Sequence, residues 1–566
     1  MKHSYLISMS LLCLSTITSA HATDLSYQYT VPYVGGGALT ITNNGAEPVS
    51  ISNVMFDSNA TIVNNPWGTL WGYKSTLQKT PQPDEINTHY MITENPTITI
   101  PPSSAVVLSF NIDQTKIGGP LSPYNAAMDP TNINIKLVDS ATPLSIPIQG
   151  HCQDTACNDP GNGKRIMGYY PNWAYWRSPK FTADQLPFNK INMVGYAFSI
   201  FDSNGNISLY DADSDAINLP MISQARQQFP YLNASLSFGG WSWASTPPGW
   251  QCTTGASPQG PAACFSQMAA NPTAVTRFVN SAVKAMKEVH FNGIDIDWEY
   301  PLTPEDASNY VNLLQKLRGA LDAQGNTDST HYYLTVAVAA GIDKISKLSP
   351  SQWQTIAATV DDIGVMTYDF HGAWDQGQTG SNFMSAMALD PTLDPTVNNP
   401  ILSHYNVIDA MDAYVSRGVP KEKLIVGIPV YGRMMNIEAV GSNDGLYQTI
   451  TGTPPGEWDN QQSGNTGMVD YACIVEPTHC GNGFKLPALT LMQPTEKNPG
   501  QYAFTPWGYA SNLFITYDDD QSAAYKAYWL IQNGYAGVML WDLTGDFNAS
   551  DERSLVNSIY IIFNDD

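Results

Sequence analysis

Three carboxylic acids spaced two residues apart carry the clearest chemistry in this sequence. They lie in Gly293-Ile294-Asp295-Ile296-Asp297-Trp298-Glu299, where acidic and apolar residues alternate strictly. Successive side chains of a β-strand point to opposite faces. Asp295, Asp297 and Glu299 therefore share one face, and Ile294, Ile296 and Trp298 share the other. The carboxyls repeat roughly every 6.5–7 Å along such a strand. Brought together away from water they repel one another and lose solvation, so at least one should stay protonated at neutral pH. A raised carboxyl pKa is what a general acid requires. A buried polar network without function is the alternative; it is disfavoured because uncompensated buried carboxyls cost several kcal/mol. A metal centre fits poorly, since these carboxyls lie too far apart to share one cation easily and no histidine sits beside them.

The surrounding sequence says what holds this strand. From Lys164 onward, apolar runs alternate with helical stretches such as Thr273 to Val289 and Pro304 to Ala323. Eight runs read as strands: Ile166 to Tyr170, Ile191 to Phe198, Asn233 to Phe238, Gly293 to Trp298, Tyr333 to Val338, Ile363 to Tyr368, Leu424 to Tyr431 and Gly537 to Trp541. Near-continuous apolar runs are the mark of parallel strands buried on both faces. Eight β/α units predict an α/β fold, a (β/α)8 TIM barrel over 164–566. Glu299 then falls at the C-terminal end of strand four, where barrel active sites form. The stretch 434–514 is too long for one helix and holds strand-like runs with many Gly and Asn, so it reads as an α+β insertion after strand seven.

Residues 23–150 have a different character. Short alternating runs, among them Ala38 to Thr42, Val49 to Phe56, Thr97 to Pro101, Val106 to Ile112 and Ile133 to Val138, are separated by turn signals such as Asn43-Asn44-Gly45. This predicts an all-β sandwich. Residues 151–163 read as a linker. Residues 1–22 read as a signal peptide: Lys2 and His3 precede an apolar run ending near Ile17, and Ala20-His21-Ala22 offers a cleavage site. Export, to the periplasm or beyond the cell, is expected. Removing the leader removes Cys13 and leaves six cysteines in three local pairs, Cys152 and Cys157, Cys252 and Cys264, Cys473 and Cys480. Disulfides are favoured in an exported chain, and of the 15 possible pairings the short spacings favour the local one. Zinc is the weaker reading, because no CxxC occurs.

Composition narrows the partners. The formal net charge of -24 opposes binding to nucleic acid and is compatible with a neutral substrate. Aromatic residues make up 11% of the 566, with 14 Trp and 30 Tyr. Sugar rings stack on such faces, and large β-rich cores use them equally. No run of the mature chain is apolar enough to span a membrane, so a protein free of the bilayer is expected, and a monomer.

The segment Phe291 to Glu299 resembles the active-site signature of glycoside hydrolase family 18, the chitinases and their relatives, with Asn292 where Asp is more usual. Ser237-Phe238-Gly239-Gly240 is similar to the family's SxGG, and Met366-Thr367-Tyr368-Asp369 to its MxYD. Tyr431-Gly432-Arg433 ends strand seven and Trp541 ends strand eight. The insertion and the N-terminal sandwich resemble those of one bacterial chitinase subfamily.

The resemblance implies a set of roles. Glu299 would protonate the glycosidic oxygen, and the substrate's own 2-acetamido oxygen would attack the anomeric carbon, giving retention through an oxazolinium ion. Asp297 would orient the acetamido group, Asp295 would share a proton with Asp297, and Tyr368 would bond the acetamido oxygen. Asp369 would assist the distorted sugar, with Trp541 as the floor beneath it. For Tyr368, Trp541 and Met366 the plainer reading is core packing. Arg433 would clamp the sugar or pair with an acid near the insertion, and Tyr431 stands beside it. Trp173, Trp176, Trp241, Trp243 and Trp374 would line subsites. Ser237, Gly239 and Gly240 read as architectural. The implied substrate is chitin or a chitooligosaccharide, with no cofactor or metal. A relative trimming N-glycans and a lectin of the same fold are the rival readings; the presence of Glu299 speaks against the lectin. The sandwich would help engage polymer, through Trp67, Trp71 or Tyr73.

Overall fold

The computed structural model describes residues 25–30, 36–58, 62–63, 74–81, 88–112, 131–138, 143–146, 148, 158–209, 211–241, 256–257, 260–261, 265–460, 463–495 and 498–565. Residues 1–22, Cys152, Cys157, Cys252, Cys264, Trp67, Trp71, Tyr73 and Trp243 lie outside them.

Eight parallel strands close into the expected barrel: β1 (Arg165–Pro171), β2 (Met193–Phe201), β3 (Asn233–Gly239), β4 (Gly293–Asp297), β5 (Tyr333–Ala339), β6 (Asp362–Met366), β7 (Leu424–Pro429) and β8 (Gly537–Trp541). Each pairs with the next, and β8 returns to β1. The outward residues, Ile294 and Ile296 among them, join one continuous core with the helix layer. The main helices are α1 (Ala212–Gln228), α2 (Pro272–Glu288), α3 (Pro304–Asp328), α4 (Pro350–Thr359), α5 (Val407–Val415), α6 (Asp520–Asn533) and α7 (Leu555–Asn564). Their starts are legible: Asn271 and Thr303 cap α2 and α3 with their side chains, and each helix opens on Pro, whose missing N–H is no loss in a first turn.

Before the barrel, two antiparallel sheets share one core. One holds Leu25–Thr30, Gly36–Asn43, Ser104–Ile112 and Ile62–Val63. The other holds Lys74–Pro81, Thr88–Ile100, Val49–Ser58, Thr131–Leu137 and Leu144–Ser145. Leu39, Ile41 and Leu108 of the first sheet meet Val54, Phe56 and Ile135 of the second. The Asn43-Asn44-Gly45 turn is closed by Asn43 Oδ1, which accepts the Gly45 N–H at 2.9 Å. Helix α1 is apolar on two sides because it has two neighbours. Leu219 and Ile222 enter the barrel layer, while Ile217 and Met221 enter the sandwich core. Gln224 Oε1 accepts the Tyr29 backbone N–H at 3.1 Å, and Tyr27 bonds to Gln227.

The insertion is slightly longer than 434–514. β7 ends at Pro429, and Tyr431 already belongs to the insertion's first strand, Tyr431–Ile437. The last strand, Leu513–Thr516, pairs with it. Phe383 and Ala386, from the irregular segment after β6, share a core with Met435, Ile437, Trp507 and Phe514 of the insertion sheet. Cys473 and Cys480 are bridged, with Cα atoms 4.5 Å apart. No helix among the described residues is long and apolar enough to cross a membrane.

Candidate active site

The C-terminal ends of the strands open into a cavity of ≈ 1110 Å³. β4 delivers its carboxyls there because its outward face is anchored. Trp298 is buried, stacked on Phe265 at 5.1 Å and edge-on to Tyr310 at 5.5 Å. With that face fixed, alternation turns Asp295 and Asp297 inward, and Glu299 follows at the rim. Asp297 and Glu299 line the cavity; Asp295 lies beneath its floor, fully buried.

The carboxyls differ in how they are satisfied. Register places Ser237 of β3 and Thr335 of β5 beside Asp295. Ser237 Oγ and Tyr169 Oη donate to Asp295 Oδ2 at 2.6 and 2.9 Å, and Thr335 Oγ1 donates to Oδ1 at 2.6 Å. Burial raises the Asp295 pKa and these hydroxyls pull it back. Asp297 is buried with no partner on Oδ1. Burial, then the charges of Glu299 and Asp295, hold its pKa well above the ordinary carboxylate range. Burial also pushes Glu299 up to about 7; a hydrogen bond from Tyr300 lowers it and the Asp369 charge adds to the rise.

The wall opposite comes from β6, β7 and the insertion. Met366 and Tyr368 line the cavity, and burial beside Asp297 holds the Tyr368 phenol in its protonated form, a standing donor. Asp369 takes a left-handed conformation with φ 54°. Arg433 grips it in a fork, Nε to Oδ1 at 2.8 Å and Nη2 to Oδ2 at 2.7 Å. The guanidinium lies 5.3 Å from the ring centres of both Trp374 and Tyr431. Trp541 stacks on Phe198 at 5.6 Å and meets Tyr169 and Trp173. Trp241, Trp374 and Trp173 line the cavity and are 55%, 48% and 37% exposed, which leaves ring faces open for stacking. Trp176 lies off the cavity wall and bonds to Asp211. No His, Cys, Asp and Glu cluster suited to a metal ion occurs among the described residues.

Sequence reasoning missed several side chains. Ser237, read as architectural, and Thr335 and Tyr169, not singled out, all hold Asp295. The signal was available as polar residues at inward positions of neighbouring strands. Gly195 belongs to the same reading, since a Cβ there would come within 2.7 Å of the Tyr169 ring. Arg177 and Trp458 could not be placed from sequence. The Arg177 guanidinium lies 4.6 Å from the Trp458 ring centre and bridges Asp470 and Asp542 at 3.8 and 3.6 Å, joining the β1 loop to the insertion.

Known proteins resemble this chain over the same region. The family described as Glycosyl hydrolases family 18 matches residues 165–546, which span the whole barrel. Chitinase A1 of Niallia circulans is 30% identical over 469 residues, 73% of this chain and 61% of that protein. Chitinase 1 of Aphanocladium album is 28% identical over 438 residues, 74% of this chain and 89% of that protein. Among solved structures, chitinase ChiA74 from Bacillus thuringiensis aligns with a TM-score of 0.58 at 25% identity, covering 71% of this chain and 70% of that one.

Proposed function

Since the chain belongs to the glycosyl hydrolases of family 18, we propose that it is a chitinase, hydrolysing β-1,4 links between N-acetylglucosamine units with retention of configuration. The observation that carries this reading is the state of Asp297. It is a buried carboxyl with an unpartnered oxygen, two positions before an acid whose pKa is about 7. An acetamido N–H is the group that such an oxygen lacks.

Glu299 gives its proton to the glycosidic oxygen as the bond to the anomeric carbon breaks. The substrate's acetamido oxygen forms a bond to that carbon, its N–H held by Asp297 and its oxygen by Tyr368. The resulting oxazolinium ion is positive and the leaving sugar departs neutral. Glu299, now a carboxylate, takes a proton from water, which attacks the anomeric carbon and reopens the ring. Asp295 stabilises Asp297 from below and shares its proton. Trp541 forms the floor, and Trp173, Trp241 and Trp374 stack on neighbouring units. Met366 and Tyr431 complete the pocket around the reacting sugar, and Arg433 keeps Asp369 aimed at it.

The rest of the chain is proposed as a leader over 1–22 that directs export, a polymer-engaging sandwich over 23–150, a linker over 151–163 and the catalytic barrel over 164–566. The test is a comparison of N-acetylated and fully deacetylated β-1,4 oligomers of equal length. Only the acetylated chain should be cut, because the nucleophile is its own acetamido group. Equal cleavage of both would sink the reading. Product profiles on chitin and on a glycoprotein N-glycan separate the chitinase from its glycan-trimming relatives.

A further inference from the structure

The irregular segment after β6 hides an ion pair that the mechanism above does not use. Lys526 of α6 and Asp518 are both 0% exposed, with Nζ 2.6 Å from Oδ2. Lys526 also donates to Ser385, at 2.8 Å to its carbonyl and 2.6 Å to its Oγ. Ser385 has one hydroxyl proton and two acceptors in reach, Thr367 O at 3.0 Å and Asp518 Oδ2 at 3.1 Å. Thr367 precedes Tyr368, and its own hydroxyl donates to Gly427 O of β7 at 2.7 Å.

A buried ion pair is a poor way to gain stability, because desolvation offsets most of the attraction. Its value here is directional. With Lys526 occupying Asp518 Oδ2, the Ser385 proton is released to Thr367 O. Without the ammonium, the anionic carboxylate would compete for that proton and the carbonyl before Tyr368 would lose its anchor. We infer that Lys526 is a positioning residue for the active site: through Asp518 and Ser385 it fixes the Thr367 carbonyl, and with it the direction of Tyr368. This rests on the role proposed for Tyr368.

The experiment is a double-mutant cycle on the full chain with a chitooligosaccharide substrate. Lys526→Met should lower kcat by roughly 10- to 100-fold, the scale of a small misplacement of a reacting group, with KM changed by no more than about two-fold. Ser385→Ala keeps both charges and removes only the hydroxyl bridge, so it should lower kcat in the same sense while the fold is retained. It decides the matter if Lys526→Met does not fold. In a Tyr368→Phe background either change should reduce kcat by no more than about two-fold further, since what they position is already lost. Losses that multiply fully in that background, or variants that lower only the melting temperature, would overturn the inference. Unchanged kcat in Tyr368→Phe alone would instead overturn the role given to Tyr368.

Discussion

Two sets of carboxyls lie towards one end of this barrel and are treated oppositely. On β4 and just past its end, Asp295, Asp297 and Glu299 are met by hydroxyls, by one another, or on one oxygen by nothing, and no Lys or Arg pairs with them among the described residues. Around them, Asp369 and Asp518 are each matched by a cation, Arg433 and Lys526. A nearby cation favours the ionised form, and at Asp518 the Lys526 ammonium offsets part of the rise that burial causes. Keeping cations off β4 leaves its carboxyls protonated or sharing protons, which a proton donor needs. Supplying cations to Asp369 and Asp518 makes them fixed framework. Charge placement thus divides chemistry from scaffold within a single barrel mouth.

The largest effect should come from the donor itself. Glu299→Gln keeps the shape and removes the acid, so hydrolysis should fall by roughly 10²–10⁴-fold, the usual contribution of a general acid. Binding of a chitooligosaccharide, followed by tryptophan fluorescence, should remain measurable. Retained hydrolysis would remove Glu299 from the centre of the contrast.

Next come paired substitutions that should change stability in opposite directions. Asp518→Asn leaves the buried Lys526 charge without its carboxylate partner, which should cost about 3–5 kcal/mol of stability by denaturant unfolding. Asp297→Asn should do the reverse at neutral pH while abolishing most activity. Folding raises the Asp297 pKa, so ionising this group favours the unfolded chain. Its stabilising influence is present at low pH and is lost as pH rises above the ordinary carboxylate range. The asparagine variant should therefore melt progressively higher than the parent as pH increases. If both variants moved the same way, the division between proton-active and framework carboxyls would fail.

Much of this was legible in the sequence, for identifiable reasons. Period-two alternation in Gly293 to Glu299 announced the inward carboxyls, and the eight apolar runs announced the barrel with strand ends shifted by three residues at most. Local patterns could not show partners far apart in sequence. Asp295 is satisfied from Tyr169, Ser237 and Thr335, which meet it only through barrel register. Lys526 and Ser385 are 141 positions apart. The acid that Arg433 pairs with could not be named, because the pairing depends on the left-handed turn that presents Asp369. The double-sided burial of α1 likewise needs a second domain against it, which no helical periodicity encodes.

The smallest effect sharpens the comparison most, because it reads the boundary between the two sets. Asp369 is framework through Arg433, yet its charge reaches Glu299 and helps to raise its pKa. An acid with a pKa of about 7 is protonated below neutrality, so kcat should be highest there and decline as pH rises through about 7. Asp369→Asn removes a negative charge that disfavours ionisation of Glu299, so the alkaline limb should move to lower pH. Tyr300→Phe removes a hydrogen bond that favours the carboxylate, so the limb should move to higher pH. Opposite shifts in the kcat–pH profiles are the signature, since a general loosening of the site would lower the rate without moving the limb in two directions. Were both variants to keep the parental limb, the ionisation seen in the profile would belong to a group other than Glu299.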